Sequence, residues 1–151
     1  MQPNLTIIRG LPGSGKSTRA KELMQEKRNN GRKVSNLESD MFFMFNNKYI
    51  FNKNHLNYSH LWCLSNAAYY LNQGYDVIVS NTFVTKDEIF PYNKMAAAID
   101  INDISIITCF GKFRNIHNVP IKVIEHMKEK WEDFNQEEYS NYLIKKMKEE
   151  I

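Results

Sequence analysis

Eight consecutive residues hold most of the chain's capacity for chemistry: Gly10-Leu11-Pro12-Gly13-Ser14-Gly15-Lys16-Ser17. They fit G-x-x-x-x-G-K-[ST], the phosphate-binding loop. Glycines at 10, 13 and 15 admit backbone angles closed to other residues and let N–H groups approach phosphate oxygens. Lys16 offers a mobile cation to the β- and γ-phosphates, and the Ser17 hydroxyl is a ligand for Mg²⁺. A helix starting at the loop would add its positive dipole end and free N–H groups. Gly13, Ser14, Gly15, Lys16, Ser17 and Thr18 are therefore the expected ATP-binding residues, with Ser17 on the metal.

Asp40 is the next group of interest, because it follows a strand candidate over Arg32–Leu37. Ligands of open α/β sheets bind outside the carboxyl ends of the strands. A carboxylate there can take a proton from a substrate hydroxyl or hold the metal through water. It can equally cap a short helix opened by Met41-Phe42-Phe43-Met44-Phe45. Core packing is expected for most of that Met/Phe cluster, with one or two rings left to line an acceptor pocket or stack on a base. After the strand Asp76–Val79 come Ser80 and Asn81, where phosphate-loop proteins often carry an aspartate that holds Mg²⁺ through water. Neither is charged, which shifts weight to Asp40 and disfavours a motor-type ATPase. Gly111–Pro120 is polar and aperiodic, follows a strand, and carries Lys112, Arg114 and His117. It is predicted to be a lid over ATP, with Arg114 or Lys112 stabilising the transferring phosphoryl group. The expected catalytic set is Lys16, Asp40 and Arg114. His55 and His60 lack a metal-ligand spacing and are assigned solvated or capping roles.

These groups need a scaffold. Leu5–Ile8 reads as a buried parallel strand, and Thr18–Asn30 as a helix with Ala20, Leu23, Met24 and Lys27 near one face, closed by Gly31. Lys53–Gln73 is helical, with Leu61, Leu64, Ala68 and Leu71 on its inner face and Gly74 at its end. Thr85 to Glu88 is a capping box for a helix carrying Ile89, Met95, Ala96 and Ile99, which Pro91 should bend or split. Ile104–Cys109 is expected to be a largely buried strand. Pro120 opens a helix with Ile124, Met127 and Trp131 inward; a second box, Asn135 to Glu138, opens a last helix with Tyr139, Leu143 and Met147 inward. The run Tyr49-Ile50-Phe51 has no evident role. Alternation of strands and helices predicts a parallel sheet covered on both faces.

With 151 residues, 42% hydrophobic and 25% charged, the chain suits one folded domain over residues 1–151 rather than a disordered segment. A net charge of +3 is compatible with a polyanionic partner without requiring one. No apolar run approaches the ~18–20 residues of a membrane helix, and Met1–Asn4 lacks the regions of a signal peptide. A cytoplasmic protein without a membrane partner is expected, with Cys63 and Cys109 as buried reduced thiols. Nothing in the composition sets the oligomeric state.

Arg9–Thr18, Ser39-Asp40, Val77–Thr82, Pro91-Tyr92 with Ala96-Ala97, and Arg114–Pro120 together carry a resemblance. From about Leu5 to Trp131 the chain resembles the small P-loop kinase-like ATPases related to the kinase domain of phage polynucleotide kinase, a group that includes animal ubiquitin-ligase-binding proteins with such a domain. The resemblance implies a nucleotide-kinase-like P-loop NTPase fold: three α/β/α layers, a parallel sheet of about four strands in the order 2-3-1-4, and a helical C-terminus. It also implies transfer of the γ-phosphate of ATP, with Mg²⁺, to a polynucleotide 5′-hydroxyl, so nucleic-acid 5′ ends become candidate partners. Lys16 and Ser17 would hold phosphate and metal, Asp40 would be the general base, and Arg114 the lid arginine. The chain departs from the polynucleotide kinases in having Met41, Phe42 and Phe43 where an arginine follows the aspartate, and from many relatives in having Ser80 where they have aspartate. A nucleoside, nucleotide or sugar acceptor thus stays open, as does an ATP-binding regulatory module with little turnover.

Overall fold

The computed structural model describes residues 2–115 and 118–150. In chain order the elements are β1 (Leu5–Arg9), α1 (Lys16–Asn29), β2 (Val34–Leu37), a 3₁₀ turn (Ser39–Phe43), β3 (Met44–Phe45), β4 (Lys48–Tyr49), a second 3₁₀ turn (Lys53–His55), α2 (Leu56–Asn72), β5 (Asp76–Asn81), α3 (Lys86–Ala98), β6 (Ile104–Thr108), α4 (Ile121–Lys130) and α5 (Gln136–Glu149). Four parallel strands form the main sheet in the order β2-β5-β1-β6, which is the expected 2-3-1-4. β3 and β4 make a separate antiparallel hairpin.

Strand alternation sorts the core into two layers. Ile8 and Ile78 face Ala20, Leu23 and Met24 of α1. Leu5, Ile7, Val77 and Val79 face the other way, onto Cys63, Ala67 and Leu71 of α2, Ile89 and Tyr92 of α3, and Tyr139 of α5. Each fully buried isoleucine or leucine contributes about 2–3 kcal/mol. Gly31 and Gly74 take positive φ just past α1 and α2, the helix ends they were expected to mark. The Thr85 box forms, its N–H donating to Glu88 Oε2 at 2.9 Å, and at the second site Asn135 Oδ1 accepts from the Glu138 N–H at 3.1 Å, the N-cap half of a box. No described helix is long and apolar enough to cross a membrane.

Several expectations need correcting. α2 lies on the sheet through Ser59, Cys63, Ala67 and Leu71, while Leu61 is 60% exposed. Small residues at this i, i+4 spacing bring the helix axis close, so the leucine-based phase was displaced. Of the Met/Phe cluster only Phe43 is buried; Phe42, Met44 and Phe45 are exposed, because the chain turns into the hairpin there. α3 runs unbroken through Pro91. β6 is an edge strand and only half-buried, and Cys109 beyond it is half-buried as well, although Cys63 is enclosed. α4 buries none of its residues, with Ile124, Met127 and Trp131 partly covered, and Met147 of α5 is exposed.

Arg9, one residue before the phosphate loop, is almost wholly buried. Its guanidinium donates to the carbonyls of Phe83 (3.0 Å), Val84 (3.2 Å) and Glu132 (2.7 Å) and lies 4.0 Å over the Trp131 ring. Alanine at position 9 would strip a charged donor from three enclosed acceptors. We expect Arg9→Ala to cost about 3 kcal/mol or more in urea unfolding; a loss below about 1 kcal/mol would remove Arg9 as a structural tie.

Candidate functional site

The phosphate loop joins β1 to α1 at the carboxyl edge of the sheet. Gly13 (φ 78°) and Gly15 (φ 97°) lie in the left-handed region, where a side chain is strained. Gly10 is required by contact: a Cβ there would sit 2.2 Å from Ser14 Oγ and 2.8 Å from the Cys109 carbonyl. α1 begins at Lys16, two residues earlier than expected, so its first N–H groups open into the loop. Lys16 Nζ donates to the carbonyls of Gly10 (2.9 Å) and Leu11 (3.0 Å), closing the loop over itself. Burial pulls the lysine below its ordinary pKa, while the charges of Glu38 and Asp40 push it back up.

Glu38 is the residue that sequence reasoning missed. It follows β2 directly, and its Oε1 accepts the Ser17 hydroxyl at 3.0 Å. An acid thus stands at the expected metal ligand, contributed by the end of β2 rather than β5. The two candidates on β5 divide between the faces of the sheet. Asn81 is committed to scaffolding: its Oδ1 accepts the Ser39 N–H at 2.8 Å and its amide lies 3.8 Å from Cys63 Sγ. Ser80 points with Ile78 toward the α1 side, and its buried Oγ has no hydrogen-bond partner among the described residues. Ser17 and Glu38 bring two hard oxygen donors together, the chemistry that Mg²⁺ takes.

Asp40 sits in the 3₁₀ turn and is partly buried. The Tyr49 hydroxyl donates to its Oδ1 at 3.0 Å. Burial, then the Asp40 charge, pushes the Tyr49 phenol up to about 12, so it stays a donor at neutral pH. The turn itself is pinned by Ser39, which bonds Asn81 through its N–H and lies 3.2 Å from His60 Nδ1 through its hydroxyl. His60 therefore has a specific polar partner, whereas His55 is exposed against the Tyr58 ring. Beside this turn lies a cleft of about 340 Å³, lined by His60, Leu61, Leu64, Asn81, Tyr92 and others.

The first residues of the expected lid are fastened to the phosphate loop. The Gly111 N–H donates to the Ser14 carbonyl (3.0 Å) and the Phe113 N–H to the Gly13 carbonyl (2.7 Å). The Phe113 ring lies over Gly15, where a Cβ would come within 3.1 Å of it. Arg114 follows at once and is exposed, so its backbone is held beside Gly13. Asn115 Nδ2 donates to the Val119 carbonyl at 2.9 Å. Ile116 and His117 lie outside the described residues. The structure thus brings the roots of Lys16, Ser17, Asp40 and Arg114 to one edge of the sheet.

A family model described as an AAA domain matches residues 5–111. Among solved structures, an APS kinase CysC from Mycobacterium tuberculosis in complex with AMPPNP and APS is 19% identical, with TM-score 0.59, over 83% of this chain and 68% of that one. A gluconokinase from Sinorhizobium meliloti 1021 is 17% identical, with TM-score 0.56, over 87% and 76%. A chain of a Pnkp1/Rnl/Hen1 complex is 18% identical, with TM-score 0.54, over 83% of this chain and 38% of its own length. At these identities the likeness is one of fold.

Proposed function

The chain belongs to the AAA-domain family AAA_33, a small P-loop kinase-like family, and on that premise we propose that it transfers the γ-phosphoryl group of ATP to a hydroxyl acceptor, preferably a polynucleotide 5′-hydroxyl. The observation that carries the reading is the run Glu38-Ser39-Asp40: its first carboxylate meets Ser17 of the phosphate loop, and its second, two residues later, accepts the Tyr49 hydroxyl. One acid thus serves the metal side and the other the acceptor side of a single phosphoryl path.

ATP would lie on Gly13 to Thr18, its phosphates taking Lys16 Nζ away from the Gly10 and Leu11 carbonyls. Phe113 offers a ring face beside the loop. Mg²⁺ would supply neutralisation of phosphate charge, and Ser17, with Glu38 bonded to its hydroxyl, would hold it. Asp40, oriented by Tyr49, takes the proton of the attacking hydroxyl. Lys16 and Arg114 neutralise charge that develops on the phosphoryl oxygens. Glu38→Gln should raise the Mg²⁺ concentration for half-maximal turnover about 10-fold or more; an unchanged Mg²⁺ dependence would remove Glu38 from the metal side.

The cleft of about 340 Å³, lined in part by His60 and Asn81, which both meet Ser39, favours a second reading, a small-molecule kinase. Incubation with γ-labelled ATP and Mg²⁺ separates the two. Label on 5′-hydroxyl DNA or RNA supports the polynucleotide acceptor, and label on a nucleoside or sugar panel supports the second. If neither is labelled, the kinase reading fails and an ATP-binding module remains.

A further inference from the structure

The β3–β4 hairpin exposes rings that a folded domain ordinarily buries. Phe45 is 66% exposed, Phe51 50% and Tyr58 62%. Phe42, Tyr49 and Phe51 are held in place from below by Phe43, which is 5% exposed and whose ring lies 5.3, 6.3 and 5.1 Å from theirs. Tyr49 and Phe51 are nearly parallel, 17° apart with centroids at 6.4 Å. The same Tyr49 bonds Asp40, so the ring cluster begins at the acceptor side of the site.

Exposed rings alone suit a protein partner as well as a nucleic acid. The surrounding charge decides between them. Between Asp40 and Asp76 the sequence contains no aspartate or glutamate, but it has Lys48, Lys53, His55 and His60. Five asparagines at 46, 47, 52, 54 and 57 add neutral donors and acceptors. Rings, amides and cations, with Asp40 the carboxylate at the Tyr49 end and no acid in the sequence from 41 to 75, match bases joined by phosphates. The strand must be unpaired, because stacking needs free base faces.

We propose that the β3–β4 hairpin and the first turn of α2 form a binding surface for single-stranded nucleic acid, on which Phe45 and Phe51 stack bases and Lys48 and Lys53 meet phosphates. The placement of the strand's 5′ end toward Asp40 rests on the kinase reading; the binding does not.

The test is fluorescence anisotropy with the full chain, without ATP, using 3′-labelled oligo-dT and oligo-U of about twelve nucleotides and a blunt duplex of equal length. The single strands should bind more tightly than the duplex, and the two single-stranded arms tell DNA from RNA. Phe45→Ala with Phe51→Ala should weaken binding about 10-fold or more. Lys48→Ala should lower the slope of log K against log salt by about 0.7. Melting temperatures check that the variants, all at exposed positions, remain folded. Wild-type protein that binds no single strand, or variants that bind as tightly as wild type, would overturn the proposal. Self-association that Phe45→Ala abolishes, with no oligonucleotide bound, would give the surface to a second copy of the chain and overturn it as well. Phosphoryl transfer to a nucleoside 3′-phosphate without oligonucleotide binding sinks this proposal alone, and binding without transfer to any acceptor sinks the kinase reading alone.

Discussion

Asp40→Asn is expected to lower kcat by about 10³-fold with ATP affinity held within about twofold. General-base assistance contributes about 10²–10⁴-fold. Asparagine keeps the shape of the side chain and can still accept from the Tyr49 hydroxyl, so the 3₁₀ turn and its tie to Asn81 persist. What disappears is the basicity. The loss should therefore fall on the chemical step and leave nucleotide binding, measured by titration calorimetry, almost unmoved. Transfer at an undiminished rate would exclude Asp40 as the base. A large loss of ATP affinity would mean that the carboxylate acts on Lys16 across the site, whose ammonium feels its charge.

Lys16→Ala should reduce kcat/KM by about 10³-fold or more, the scale on which removal of a preorganised donor to developing charge acts. Two effects add. The phosphates lose their cation, and the carbonyls of Gly10 and Leu11 lose the donor that holds the loop before nucleotide arrives. Nucleotide binding should weaken together with turnover, in contrast to Asp40→Asn. A variant with wild-type ATP affinity and turnover would overturn both roles.

How much of this was legible in the sequence depended on how local the physics was. The phosphate loop was, because left-handed angles at Gly13 and Gly15 need glycine whatever surrounds them. Strand order was legible through resemblance to a family, since alternation alone predicts parallel strands without ordering them. The Glu38–Ser17 pair was hidden because it joins two elements twenty-one residues apart. A weak signal existed: two carboxylates spaced by one residue at a strand's end. The hairpin also left a signal. Asn46 (φ 50°) and Asn47 (φ 63°) form a two-residue connection of the kind that asparagine tolerates, and the unassigned Tyr49-Ile50-Phe51 is its returning arm. The burial phase of α2 was not readable, because Ser59, Cys63 and Ala67 carry little hydrophobic weight and face inward for their size. The exposed Phe45 and Phe51 break the ordinary burial pattern, which is what a surface with the proposed binding role would do.

Arg9 has one more consequence, for where the domain can be cut. The stretch that the family model matches stops at residue 111, but the guanidinium before the phosphate loop finds one acceptor at Glu132 and its aromatic cover at Trp131. Tyr139, in α5, is buried in the same layer as Leu5 and Ile7 and donates to Asn93 of α3. A chain truncated after β6 would keep every phosphate-loop residue yet leave a cation uncovered and a ring-sized gap under the sheet. A fragment meant to keep the contacts of Arg9 and Tyr139 therefore has to reach through α5.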